Sequence, residues 1–230
     1  MIPEYQSIPP NIIANLTAGC ASDIGSIAEC PVQGCGWNGD ALLNLAKNRS
    51  DTPAPGKVRP MTLDQMRALP QPRTWNTGSP RDELKAPGLE GTPVAVTGFL
   101  LRAKPEGPES CNCDLAKRPD TDVHLALVGS PGDGEESSVV AEVTPRVRAD
   151  GRSHWTYRRL HEELVGQFVR ITGWLMLDTK HLRQGQLLPN ERVNRPTHRA
   201  TNWEVHPVTT LEVCALSVKA CRKGRGWQQF

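Results

Sequence analysis

Apolar and polar residues alternate along five segments between residues 94 and 213 of this 230-residue chain. A period of two predicts β-strands that bury one face. Turn-rich stretches such as 129–134 separate the segments and favour connections between antiparallel strands. The predicted strands cover 94–103, 122–128, 138–144, 168–177, and 202–206 continuing as 208–213.

One segment has helical periodicity instead. Tyr157, Leu160 and Leu164 recur at helical spacing, Ser153 is the predicted N-cap, and Gly166 follows the last turn. A helix is therefore expected over 154–165, between the third and fourth strands.

The element order β-β-β-α-β-β, with Gly98 and Gly173 at the middle of the first and fourth strands, resembles the OB-fold. The resemblance covers roughly residues 92–214. It implies a mainly β protein: a five-stranded OB-like Greek-key barrel with one inserted helix, plus an irregular N-terminal extension.

The rest of the chain divides into three parts. Residues 1–50 form a cysteine-bearing N-terminal head, with a helix expected over 40–47 behind Asp40 as N-cap. Residues 51–91 are a proline-rich arm or linker, expected to pack on the barrel and to offer a contact for a homo-oligomer. Residues 215–230 form a basic C-terminal tail, expected to be flexible.

Composition and charge narrow the class of protein. The 20 glycines, 20 prolines and 5% aromatic residues favour turns and short elements over a helical bundle. The net charge of +2 is small, but basic residues concentrate after Glu142, which favours a polyanionic partner. The chain shows neither an apolar run near the roughly 20 residues of a spanning helix nor a secretory leader. We therefore expect no membrane association and a cytoplasmic location.

The seven cysteines fall into three groups without the paired spacing of a zinc ribbon or finger. An odd count without a leader argues against a complete disulfide framework. Buried free thiols are therefore expected, above all at Cys214, which follows an apolar strand.

Three strings place two chemically active side chains two residues apart: Cys111-Asn-Cys113, Asp122-Val-His124 and Glu204-Val-His206. On a strand this spacing points both groups to one face. Imidazole and carboxylate ligands suit zinc, manganese or iron, and thiolates favour zinc. The predicted metal ligands are Asp122, His124, Asp178, His181 and His206, with Cys111 and Cys113 as weaker candidates, and the candidate catalytic carboxylates are Glu142 and Glu204. A hydrogen-bonded polar network is the alternative.

Three functions fit this pattern. The first is an OB-fold binding protein for a polyanion, most plausibly single-stranded nucleic acid, that uses the basic tail and a surface on the barrel. The predicted binding residues on the barrel are Arg146, Arg170, Trp174 and Arg199. The second is a metal-dependent hydrolase or phosphodiesterase, with a divalent ion such as zinc as its cofactor. The third is a structural or assembly protein.

Two further resemblances rest on short strings. The segments 109–113, 142–146 and 203–207 are similar to those of a bacterial protein family without an assigned activity. Glu142-Val-Thr144-Pro145 resembles the Asp-Thr-Pro-Glu turn of staphylococcal-nuclease-like OB domains. Arg146 stands where that family has its glutamate, which argues against the same calcium-dependent chemistry.

Overall fold

The computed structural model describes residues 24–36, 39–54, 56–85, 88–182 and 198–230. Seven strands belong to one sheet, and short helices lie between and outside them. The strands are β1 (Arg59–Met61), β2 (Pro93–Pro105), β3 (Val123–Val128), β4 (Val139–Val143), β5 (Phe168–Leu177), β6 (Trp203–Cys214) and β7 (Trp227–Gln229), and the helices are α1 (Ala41–Lys47), α2 (Leu63–Arg67), α3 (Asp82–Lys85), α4 (Pro145–Ala149), α5 (Tyr157–Leu164) and α6 (Val218–Cys221).

Five of the strands close into a barrel, which confirms the predicted fold class. β2 pairs with β3, and β3 with β4, in antiparallel fashion. β4 pairs with β6 in parallel, and β5 closes the ring by pairing with both β6 and β2. β1 adds to β2, and β7 adds to β6, outside this ring. This is the OB-like arrangement, with α5 between the third and fourth barrel strands.

The two strand glycines lie where another backbone approaches closely. A Cβ on Gly173 would be 2.2 Å from the carbonyl oxygen of Pro207, and one on Gly98 would be 2.9 Å from that of Val128. The pairing of β5 with β6 also shifts register on both sides of Gly173. Glycine at these positions therefore allows the strands to bend and cross.

The barrel interior is filled by alternate residues of the strands, as the period-two pattern predicts. Leu125, Ile171 and Trp203 are fully buried there, together with Leu160 from α5. Thr156, rather than the predicted Ser153, caps α5 by accepting a hydrogen bond from the amide of Arg159. The helix α4, in which Thr144 is the N-cap and Pro145 the first residue, was not predicted.

The described residues of the head and arm lie against the barrel. Met61, Leu63 and Met66 join the main hydrophobic core, and Arg81 and Glu90 form a buried ion pair. Asp40 caps α1 through its side chain, as predicted. No helix in the described ranges is long and apolar enough to cross a membrane.

Disulfides between described residues contradict the expectation of free thiols. Cys30 in the head is bonded to Cys113, 83 residues away in sequence, and Cys214 is bonded to Cys221. The prediction for Cys214 was wrong because the chain turns back after β6 and brings Cys221 beside it. The C-terminal segment is likewise not a loose tail, since it forms α6 and β7.

Candidate metal centre

Polar side chains from three neighbouring strands share the outer face of the barrel. His124 on β3 is the register partner of Glu142 on β4, and β4 pairs with β6, which carries Glu204 and His206. Asp122 directly precedes β3. Strand alternation predicts this common face, and the structure brings three of these side chains, Asp122, Glu142 and Glu204, together around His206.

The face is not open to solvent, in contrast to the binding surface that the sequence predicts there. Glu204 and His206 are 0% exposed and Asp122 is 1% exposed. Helix α1 of the head packs against the 110–112 turn and β6, and the Cys30–Cys113 disulfide ties the head to the same loop. The head therefore encloses the polar face.

His206 lies between carboxylates on both sides of its ring. Its Nε2 is 3.6 Å from Asp122 Oδ2, and its Nδ1 is 3.3 Å from Glu142 Oε2 and 3.6 Å from Glu204 Oε2. Neither these nitrogens nor these oxygens make a hydrogen bond with any described residue. A buried polar atom left unsatisfied costs about 1–3 kcal/mol. The cluster is therefore not a completed hydrogen-bond network.

A second group of side chains continues from Asp122 towards the head. Asn112 Nδ2 donates to Asp122 Oδ1 over 2.9 Å. Glu109 and Cys111 each offer a ligand atom within 4.8 Å of one on Asp122, and Cys111 carries the free thiol among the described cysteines. Lys47 from α1 donates to Glu109 Oε1 over 3.0 Å. The lysine thus already neutralises the outermost carboxylate of this group.

Arg199 closes the cluster on the side of Glu204. Its guanidinium donates to Glu204 and lies 3.4 Å from Asp178 Oδ2. His181 Nδ1 is 2.6 Å from the same Asp178 oxygen. Asp178 and His181, two of the predicted metal ligands, therefore lie outside the group of carboxylates around His206. Arg199 stands between Asp178 and Glu204, the carboxylate next to His206.

The cluster carries an excess of acidic groups. Burial, together with Glu204, raises the pKa of Glu142 well above its ordinary value, and burial and Glu109 raise that of Asp122. Burial alone would lower the pKa of Lys47, but Glu109 and other acidic neighbours raise it overall. The carboxylates of this cluster are the half-buried Glu109 and the buried Asp122, Glu142, Asp178 and Glu204. The basic side chains bonded to them are Lys47, His181 and Arg199.

A cleft of about 310 Å³ lies beside this region. Lys47, Glu109, Cys111, Lys180 and His181 are among the residues that line it. Its lining is thus mixed in charge and adjoins Asp122 through the Glu109–Cys111–Asp122 group.

Asp122, Glu142 and His206 are suited to hold a divalent ion. Each offers one ligand atom, and the three atoms lie within 4.8 Å of one another. Zinc bonds of about 2.0–2.2 Å in tetrahedral geometry place ligand atoms about 3.4 Å apart, so these side chains would have to move closer to bind one ion and would leave its fourth position for water. One histidine and two carboxylates also match manganese and iron.

Five of the seven predicted metal ligands do not belong to this set: Cys111, Asp178 and His181, described above, and Cys113 and His124. Cys113 was a wrong prediction, because its sulfur is bonded to Cys30 and cannot act as a thiolate. His124 lies on the same face but belongs to neither group of described ligands with converging atoms. Burial, with a contribution from Arg199, lowers the pKa of His124 well below its ordinary value and keeps it neutral.

The residues predicted to bind nucleic acid do not form one surface. Arg199 is 6% exposed and lies inside the acidic cluster, so a role in surface binding was a wrong prediction. Arg146 donates to two backbone carbonyls of the head. Arg170 forms a two-point ion pair with Glu212, and the ring of Trp174 is covered by an arginine of the head.

Sequence reasoning missed Lys47, Glu109 and Asn112. Glu109 stands two residues before Cys111, and Asn112 lies between the two predicted cysteine ligands, so local spacing held a signal for both. Lys47 gave no such signal, because its position depends on how the head folds over the barrel.

No protein-family model matches this chain, and neither does any curated protein. Among solved structures, it is similar to an asparaginyl-tRNA synthetase of Entamoeba histolytica in complex with asparaginyl-adenylate, at 16% identity and a TM-score of 0.32. A putative aspartyl-tRNA synthetase of Leishmania major Friedlin shows 11% identity and a TM-score of 0.36. The alignments cover 72% and 74% of this chain, but only 25% and 23% of those chains. A likeness at this level transfers no function.

Proposed function

We propose that the protein is a metal-dependent hydrolase whose divalent ion is bound by Asp122, Glu142 and His206. The observation that carries the proposal is the fully buried His206, whose ring nitrogens face carboxylates without a hydrogen bond to any described residue. Buried charge requires a compensating partner. A divalent cation would supply that partner and would take one ring nitrogen of His206 and one oxygen each of Asp122 and Glu142 as its ligands.

The surroundings of this site suit hydrolysis of a phosphodiester or a similar anionic ester. A bound divalent ion activates water and polarises a phosphoryl oxygen. His181 lines the cleft, and its hydrogen bond with Asp178 raises its pKa. A protonated imidazole there adds positive charge to the cleft that an anionic substrate would enter.

The other functions predicted from sequence have less support. The four residues predicted to bind nucleic acid are occupied by other parts of the protein, as described above. A structural or assembly role through the arm stays a prediction. The cytoplasmic location also stays a prediction, and the Cys30–Cys113 and Cys214–Cys221 disulfides favour an oxidising compartment instead.

The test is hydrolysis of a chromogenic phosphodiester, bis(p-nitrophenyl) phosphate, by metal-free protein to which zinc, manganese or iron(II) is added back. We expect activity that requires one of these ions and is lost in Asp122→Asn. Glu162→Gln, which removes an exposed carboxylate from α5, is the matched control and should keep full activity. Equal activity in the presence of a chelator, or in Asp122→Asn, would contradict the proposal.

A further inference from the structure

The C-terminal segment concentrates positive charge on one part of the surface. Residues 214–230 contain no aspartate or glutamate. Their basic side chains all belong to exposed residues. These are Lys219, Arg222, Lys223 and Arg225. We call residues 214–230 the C-terminal basic segment.

This segment is fixed on the barrel. The Cys214–Cys221 disulfide closes its first turn, and β7 pairs with the end of β6. Trp227 Nε1 donates to the carbonyl of Cys221 over 3.0 Å. The cations are therefore presented on an ordered backbone, so a ligand does not have to order a loose tail.

Aromatic rings lie beside these cations. Trp227 stacks on Phe168, with ring centroids 5.8 Å apart and planes 29° apart, and Phe99 packs against Phe168 at 5.1 Å. The Arg222 guanidinium lies 5.6 Å from the centre of the Phe168 ring. Phe99 and Trp227 are both partly exposed. Rings and arginines side by side are what single-strand binding proteins use to stack bases and contact phosphates.

The acidic residue nearest to this surface in the sheet does not cancel its charge. Glu212 pairs with Gln229 of β7 and accepts two hydrogen bonds from Arg170. Arg170 lies 4.8 Å from the centre of the Trp227 ring at the same time. The Arg170–Glu212 ion pair thus packs against Trp227. Because Glu212 is already paired with Arg170, it does not neutralise the exposed cations of the segment.

We propose that the C-terminal basic segment, which contains Trp227, binds single-stranded nucleic acid together with the neighbouring ring of Phe99. The site is independent of the metal centre, because it uses the far end of β6 and none of the residues around His206. It keeps the basic tail that the sequence predicts, but of the four predicted barrel residues only Arg170 adjoins it.

The test is fluorescence anisotropy of a labelled oligothymidine, titrated with the full chain at several salt concentrations. If the four cations each neutralise one phosphate, a plot of log Kd against log salt concentration should have a slope of about 2.8. A fourfold rise in salt concentration would then weaken binding about 50-fold. Neutralising two of them in Arg222→Gln/Lys223→Gln should reduce that loss to about sevenfold. Lys57→Gln/Arg59→Gln, at exposed residues at and just before the start of β1, should change nothing.

An abasic oligonucleotide of equal length separates base stacking from charge alone. We expect it to bind at least about fivefold more weakly, because stacking one base contributes about 1–3 kcal/mol. Equal affinity for the abasic strand would overturn nucleic acid as the ligand. Absence of binding at low salt, or a C-terminal double variant that behaves like wild type, would overturn the site.

Discussion

Replacing Glu142 by glutamine should stabilise the metal-free protein, although the residue is buried. Asp122 and Glu142 offer oxygens within 4.8 Å of each other. At an effective dielectric constant of about 20, two such charges repel by about 3.5 kcal/mol or more. His206 offsets part of this repulsion. We therefore expect a gain of about 2 kcal/mol, or a rise in Tm of about 4–8 °C for a chain of this size.

The sign of the pH dependence provides a second readout. The pKa of Glu142 is raised in the folded protein. The free energy of unfolding of the wild type is therefore reduced at neutral pH, and it recovers as the pH falls towards the ordinary glutamate pKa of about 4.3. The advantage of Glu142→Gln in chelator should thus be largest near neutral pH and shrink on acidification. Saturating zinc should reverse the order, since an ion at 100 times its Kd stabilises by about 2.7 kcal/mol.

Thermal melts followed by circular dichroism, with and without chelator, measure these differences. Glu212→Gln is the matched control, because its carboxylate is paired with Arg170. That change should destabilise the protein with or without metal. A metal-free Glu142→Gln that melts at or below the wild-type temperature would refute the electrostatic reasoning and indicate that Glu142 is a satisfied structural residue.

Two other predictions concern the groups that enclose the site. Cys30→Ser/Cys113→Ser should lower the free energy of unfolding in urea by up to about 4 kcal/mol, because the disulfide closes a loop of 83 residues. A decrease below about 1 kcal/mol would show that packing alone holds the head on the barrel. His181→Gln should lower Tm most below about pH 6.5, because a histidine with a raised pKa stabilises the fold in its charged form and loses that contribution as the pH rises through the raised value. A Tm difference that does not change with pH would argue against an ionic role for His181.

The barrel could be predicted because its sequence signals are local. Alternation along β3 and β5 assigns Leu125 and Ile171 to the core, and Gly173 marks a close approach that no side chain fits. The ends of helices were less certain, since both Ser153 and Thr156 are acceptable caps. Only packing against the barrel determines which of them begins α5.

The metal centre could be predicted only in part. The two-residue spacing placed Asp122 and Glu204 beside histidines on one face, and that face exists. The spacing could not show that the head covers it, because the contacts of Lys47 and Cys30 with the 109–113 loop are distant in sequence. This coverage turns the predicted open binding surface into an enclosed acidic cluster and places Arg199 inside it.

The most direct test of the proposed metal centre is the metal content of the full chain. Protein equilibrated with zinc and dialysed to remove unbound ion should contain about one zinc per chain by inductively coupled plasma mass spectrometry. His206→Gln should lose the ion, whereas His154→Gln, at an exposed histidine, should retain it. Thermal melts confirm that both variants are folded, and Glu142→Gln repeats the test at a second ligand. The assignment would be contradicted if wild-type protein retained no metal after equilibration with zinc, manganese or iron in turn. It would also be contradicted if folded His206→Gln still contained one zinc per chain.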